Sequence, residues 1–279
     1  MKSALASEII SIPAELVRIT MWIKTTTPRK PTFLVFVMEY SFDKLPPEVD
    51  AKVNFGENCR FLITQRSLQA LKQGRLRLFL YPNRPKKQGD INNFHLEIDS
   101  SYGNIRIFLG GDNIQVKFGE NSGGSCDLLL WGNSKIIIGK KTTINGAKVY
   151  CGQSEFITGE DCMISDGVLV QCTDHHGLVD LKTGEIYNRY PRKIVLNNHV
   201  WLGRNSTLLN SVSVGEGSVI GLGAVVTSDV PAKAIAAGVP ARIVKTDVTW
   251  SRSMAFLDPW SQKYVEDFSN TVNLLSEEE

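Results

Sequence analysis

The chain has 279 residues, 42% hydrophobic and 22% charged, with a formal net charge of +2. That composition suits a globular protein with enough apolar residues for one large core or two modest ones. The small net charge excludes a uniformly basic surface, so no nucleic-acid partner is expected.

Five cysteines (Cys59, Cys126, Cys151, Cys162 and Cys172) are odd in number and form no CxxC pair. They fit free thiols in a reducing compartment better than a disulfide framework or a zinc site. The longest early apolar run, FLVFVM at 33–38, is too short for a membrane span, and no small-residue cleavage site follows it. A cytoplasmic protein without a transmembrane segment or signal peptide is the expectation.

Residues 1–95 read as an α/β region of uncertain role. SLQALKQG at 67–74 has the look of a short helix with a glycine stop, and RLRLFLY at 75–81 alternates like a strand. NRPKKQ at 83–88 is a basic run that would suit an anionic glycan if it is more than solvated surface. FHLEID at 94–99 alternates again, and VNFGENC at 53–59 recurs as VKFGENS at 116–122, which suggests related turns.

A six-residue rhythm then sets in. Ile138, Ile144 and Tyr150 step by six and, after a slip of two, so do Thr158, Ile164 and Val170. From Leu196 it is unbroken: Leu196, Leu202, Leu208, Val214, Ile220 and Val226 hold the first slot, with small or β-branched residues in the fifth. Gly203, Gly215 and Gly221 hold the second slot, where glycine is expected to relieve the backbone at a turn. Six is neither the period of a helix nor that of a strand. It fits short strands joined by bends, three to a coil, stacked into a triangular prism with the large aliphatics inside.

Between the two hexad runs lies QCTDHHGLVD at 171–180, followed by a charged and aromatic stretch to 195 that reads as a loop ejected from the prism. Long loops on a regular scaffold usually carry function. A histidine, with a pKa near neutrality, is a natural general base. Counting hexads from Val170 puts His176 in the inward slot and His175 outside it, provided that the coil continues past 175. A carboxylate could hold the ring's tautomer, and Asp174 and Asp180 are both candidates. Cys172 reads as buried filler rather than as an acyl carrier.

The hexads resemble those of the hexapeptide-repeat, left-handed β-helix acyltransferases. The order of Asp174-His175-His176, Val200-Trp201-Leu202-Gly203 and Gly238-Val239-Pro240-Ala241 resembles that of bacterial sugar and polysaccharide O-acetyltransferases, over about half of the chain. The resemblance implies a mainly β fold: a left-handed parallel β-helix at 96–245, with its loop at 177–195, after the N-terminal region 1–95. A short C-terminal helical tail at 246–279 would follow. It implies acetyl-CoA as co-substrate, no metal, and a homotrimer with CoA lying between neighbouring prisms. The D-x-H register selects His176 as base, with His175 as its neighbour. Trp201, Gly203, Gly221, Ala236, Ala237, Gly238, Pro240, Arg242 and Lys245 would contact CoA, and Trp201, Tyr187 and Asp180 the acceptor.

The expected function is O-acetylation of a sugar hydroxyl on a bacterial capsule or lipopolysaccharide glycan, or on its precursor. Acetylation of a small molecule such as an antibiotic or nucleotide-sugar, and a non-catalytic glycan-binding scaffold, are the alternatives.

Overall fold

The computed structural model describes residues 16–24, 33–84, 89–188, 192–209 and 211–276. Most of the basic run at 83–88 and the acidic end at 277–279 lie outside the described residues. Strands from successive coils pair in parallel and build three flat faces of one prism. On the first face Ile144, Ile164, Leu202, Ile220 and Ala236 stack in register. On the second, Leu80, Ile107, Leu128, Val149, Val170, Leu208 and Val226 do the same. The third stacks Phe61, Leu96, Val116, Ile136, Phe156 and Ile194. All these side chains are buried, so the hydrophobic effect is collected once per face per coil.

The hexads are clear only where the coils are short. Leu196 pairs with Val214, and Leu208 with Val226, a step of 18 residues. Upstream, Val116 pairs with Ile136 and Ile136 with Phe156, a step of 20. Two added residues preserve the in–out alternation of a strand while moving every later residue out of hexad phase. This is the slip between Tyr150 and Thr158.

The repeated glycines serve a different purpose from the one expected. The left-handed turn residue of each coil lies two positions after the glycine: Asn205, Gly217 and Gly223, with φ of 57°, 72° and 67°. Gly203 and Gly215 are required by close approach instead. A Cβ on Gly203 would lie 2.6 Å from the Ile220 carbonyl oxygen, and one on Gly215 2.2 Å from the Ala232 nitrogen.

Parallel pairing already begins at Val49–Ala51 with Leu76–Pro82, and at Arg60–Thr64 with Phe94–Ser100. No break in pairing therefore coincides with the boundary expected at residue 95. The first coils are long and uneven (Phe61 to Leu96, Leu78 to Ile105), which hides their period. Helix α1 (Gln65–Lys72) buries Leu68, Ala70 and Leu71. Before it, Leu16–Lys24 and Phe33–Tyr40 form an antiparallel hairpin edge to edge with Arg60–Thr64.

At the other end, Ala234–Ala237 and Arg242–Thr246 close the stack as an antiparallel pair. The chain then turns back along the prism, burying Trp250 and Tyr264, and ends in helix α2 (Pro259–Ser276). Asp258 caps α2 by accepting hydrogen bonds from the backbone N–H groups of Trp260 and Ser261, with proline at the first helical position. No helix among the described residues is long and apolar enough to cross a membrane.

Candidate active site

From Asn93 to the loop, each coil turns from the second face to the third through one residue in the left-handed region. Down the stack these are Asn93, Asn113, Asn133, Gln153 and finally His175, with φ between 50° and 59°. Asn93 donates through its side chain to Asn113, and Asn113 to Asn133, so the column is a ladder of short polar side chains. Such residues tolerate this conformation because they can bond locally. His175 ends the ladder where the loop leaves the prism, which decides where its ring can go. The ring packs on Trp131 at 4.1 Å between centroids and meets the edge of Tyr150 at 6.3 Å. Burial against these rings pushes its pKa down, the neighbouring His176 pushes in the same direction, and Asp174 offsets part of the effect.

Both histidines are exposed, and the His176 carbonyl oxygen accepts a hydrogen bond from the Asn188 side chain. The two histidines line one cavity of about 440 Å3 with Trp131, Gln153, Asp174 and Arg192.

Asp174 does a different job from the one expected of it. Its Oδ2 lies 2.8 Å from Arg192 Nη2 and accepts from Asn188 Nδ2, also at 2.8 Å. The carboxylate thus ties the outgoing end of the loop to the returning strand, Arg192–Leu196, which begins inside the stretch expected to be loop. Asp180 caps a turn within the loop by accepting from the backbone of Lys182 and Thr183, and these donors lower its pKa. Among the described residues neither carboxylate is hydrogen-bonded to either imidazole. The position of the His175 ring is set by packing. Tyr187 is 59% exposed on the loop, away from the cavity's lining.

Cys172 is fully buried, and its bond to the Cys151 thiol and its burial both push its pKa well up. A protonated, inaccessible thiol is no acyl carrier.

The residues expected to meet CoA form a separate group. Trp201, Gly203 and Gly221 line a second cavity of about 310 Å3 with Ser165, Arg204 and Leu222. The indole Nε1 of Trp201 donates to Ser165 Oγ at 3.1 Å. Ala236 is buried and Ala237 half-buried on the closing strand, while Gly238, Pro240, Arg242 and Lys245 are exposed at the end of the prism. The two cavities share no residue. They lie toward opposite corners of the second face of one protomer.

Trp131, Tyr150, Asn188 and Arg192 escaped the sequence reading. The signal that would have found the first two is a 20-residue coil step, which sets Trp131 against Cys151 one coil on and brings both next to residue 175.

No protein-family model matches the chain. It is 36% identical over 139 residues to a polysialic acid O-acetyltransferase of Escherichia coli O1:K1 / APEC, covering 50% of this chain and 45% of that one. It is 32% identical over 147 residues to the putative lipopolysaccharide biosynthesis O-acetyl transferase WbbJ of Escherichia coli K12, covering 47% of this chain and 71% of that one. Against the first three curated relatives the match spans 45%, 62% and 57% of their length, so about half of each is represented. Among solved structures, the crystal structure of the polySia specific acetyltransferase NeuO superposes with a TM-score of 0.64 at 29% identity. That match covers 79% of this chain and 97% of the other.

Proposed function

The chain belongs to the hexapeptide-repeat acetyltransferase family, and from that premise we propose that it is an acetyl-CoA-dependent O-acetyltransferase. Its acceptor is a sugar hydroxyl of a bacterial surface polysaccharide, capsular or lipopolysaccharide, or of its precursor. The names of the polysialic acid and lipopolysaccharide relatives support that acceptor class. The observation that carries the reading is the His175 corner: an imidazole held by an aromatic wall, with lowered pKa, at the mouth of a cavity.

The thioester donor is already activated, so the chain must supply a base and a place for the oxyanion. His175 takes the proton of the acceptor hydroxyl as that oxygen attacks the thioester carbonyl carbon. Backbone N–H groups at the corner stabilise the oxyanion. When the tetrahedral centre collapses, the C–S bond breaks and the imidazolium returns its proton to the departing sulfur. No acyl-enzyme is needed. The D-x-H register favours His176 in this role, whereas the packing of the ring favours His175.

The Trp201 cavity fits an extended pantetheine arm, because Gly203 and Gly221 leave its wall low, and the exposed Arg204, Arg242 and Lys245 suit phosphates. The two cavities are separate within one protomer, so a site that uses both closes between copies. This supports a homotrimer with shared sites. A cytoplasmic setting goes with the free thiols and the acetyl-CoA supply.

The test is CoA release with a panel of polysaccharide, monosaccharide and antibiotic acceptors. His175→Ala should retain CoA affinity and lose about a hundredfold or more in kcat, with His176→Ala losing far less. The reverse order would restore the register argument. Two active single variants would end the histidine-base mechanism at this corner, and turnover confined to antibiotics would end the glycan reading.

A further inference from the structure

One small or polar residue per coil lines the corner between the first and second faces. The first face stacks Ile144, Ile164, Leu202, Ile220 and Ala236, so the residues after them form a column: Asn145, Ser165, Gly203, Gly221 and Ala237. All but Ala237 line the Trp201 cavity. Ser165 is where the smooth glycine wall meets its first hydroxyl. Its Oγ accepts the indole N–H of Trp201 at 3.1 Å, and among the described residues nothing accepts its own proton. A hydroxyl has one proton and two lone pairs, so the bond from Trp201 leaves that proton for an acceptor inside the cavity.

Trp201 is itself backed from outside the cavity. It is half-buried, and its ring lies 6.0 Å from that of Trp250, at 51°. Trp250 is buried, stacks on His199 and donates through Nε1 to the His199 carbonyl oxygen at 2.8 Å. The chain is tied down on both sides of it. Thr249 Oγ1 donates to the Gly217 carbonyl at 3.0 Å, and Arg252 Nη2 donates to the carbonyls of Asp161 and Cys162, each at 3.1 Å. Trp250 therefore stays in place as long as the C-terminal tail is docked. An indole on the outside of a strand has other staggered rotamers open to it, and the Trp250 ring stops Trp201 from turning into them and off Ser165.

We propose that the C-terminal tail is part of the donor site: Trp250 wedges Trp201 against Ser165, and the Ser165 hydroxyl so oriented donates to a carbonyl oxygen of the pantetheine arm. The proposal rests on the donor reading given above for the Trp201 cavity. The chemistry matches, because the arm is extended and uncharged and carries its acceptors as amide and thioester carbonyls. A smooth wall with one placed hydroxyl suits such a ligand. A tail that only clamped the prism would stabilise the fold and leave donor affinity alone. Here the two are linked, and linkage runs both ways: a docked tail tightens CoA, and CoA tightens the tail.

The experiment uses the full chain, as wild type, Ser165→Ala, Trp250→Leu, Trp250→Phe and the double variant Ser165→Ala/Trp250→Leu. Calorimetry without acceptor measures binding of CoA and of adenosine bisphosphate, which lacks the arm. Ser165→Ala and Trp250→Leu should each weaken CoA about threefold to tenfold, the scale of one neutral hydrogen bond, and leave adenosine bisphosphate unchanged. The double variant should lose no more than either single one. Trp250→Phe keeps a ring behind Trp201 and should bind CoA as wild type does. In turnover, KM for acetyl-CoA should rise by the same factor while kcat and the acceptor KM hold. Hydrogen exchange on wild type needs no variant to fold: CoA should slow exchange at 247–258, and adenosine bisphosphate should not.

Unchanged CoA affinity in Ser165→Ala, losses that multiply in the double variant, or equal weakening of adenosine bisphosphate overturns the proposal. So does exchange in the tail that ignores CoA. Failure of the acetyltransferase reading looks different, because wild type itself then binds no CoA.

Discussion

Replacing His199 tests how the C-terminal tail is held to the prism. The imidazole is fully buried, with Nδ1 at 2.8 Å from Asp161 Oδ2 and Nε2 at 2.9 Å from the Trp250 carbonyl oxygen. The Trp250 indole stacks on the imidazole at 4.1 Å and 5°, and its Nε1 donates to the His199 carbonyl. Arg252 closes the cluster, with its Nε at 2.9 Å from Asp161 Oδ1.

His199→Ala removes the charge-assisted bond, about 1.5–3 kcal/mol, and the bond to the carbonyl, about 1 kcal/mol. It also removes the ring stack, about 0.5–1.5 kcal/mol. The expected loss is about 3–5 kcal/mol, at the upper end for a single substitution. With a urea slope of about 3 kcal/mol per M, the midpoint should fall by about 1–1.7 M. The assay is urea unfolding at fixed protein concentration, followed by tryptophan fluorescence and circular dichroism, with the exposed His95→Ala as a control. A midpoint shift under about 0.3 M at unchanged slope would refute the reasoning, because the tail would then be docked by something other than this cluster.

Three other outcomes are expected. The rate of CoA release should rise with pH through an apparent pKa below the usual imidazole value of about 6.5, because the aromatic wall desolvates His175 and only its neutral form accepts a proton; a limb above about 7 would contradict this. Gly215→Ala should destabilise by about 2–3 kcal/mol, because its Cβ would meet the Ala232 backbone rather than a movable side chain; a melting temperature within a degree of wild type would count against that. Burial alone would raise the pKa of Asp258, but hydrogen bonds from the backbone of Ser261 and Arg252 and from the Ser261 hydroxyl hold it down to about 2. Its contribution is therefore complete above the unfolded value of about 3.9 and is lost as pH falls toward 2. Asp258→Asn should flatten the stability–pH curve over that interval, and an unchanged acid limb would exclude Asp258 as its cause.

Much of the architecture is legible from the chain alone because coils at 196–226 repeat every 18 residues. Each face then receives one large aliphatic in a fixed slot, as Leu202, Leu208 and Val214 do. The same rule fails upstream, where coils of 20 and more residues keep the inward alternation but lose the hexad. The long coils that begin at Val49 could be recognised only by pairing residues that lie up to 35 apart, as Phe61 and Leu96 do. At the site, the motif order pointed to the histidine pair and to Trp201, because those residue types are rare and sit beside a loop. It could not decide which imidazole is held. That depends on His175 taking the left-handed corner and meeting Trp131, 44 positions earlier in the chain, through the stacking of coils. By sequence, Asp174 is a candidate partner for the ring because it is adjacent to it. In the folded chain Arg192 and Asn188 come closer to its carboxylate, because the loop must return to the prism at that point.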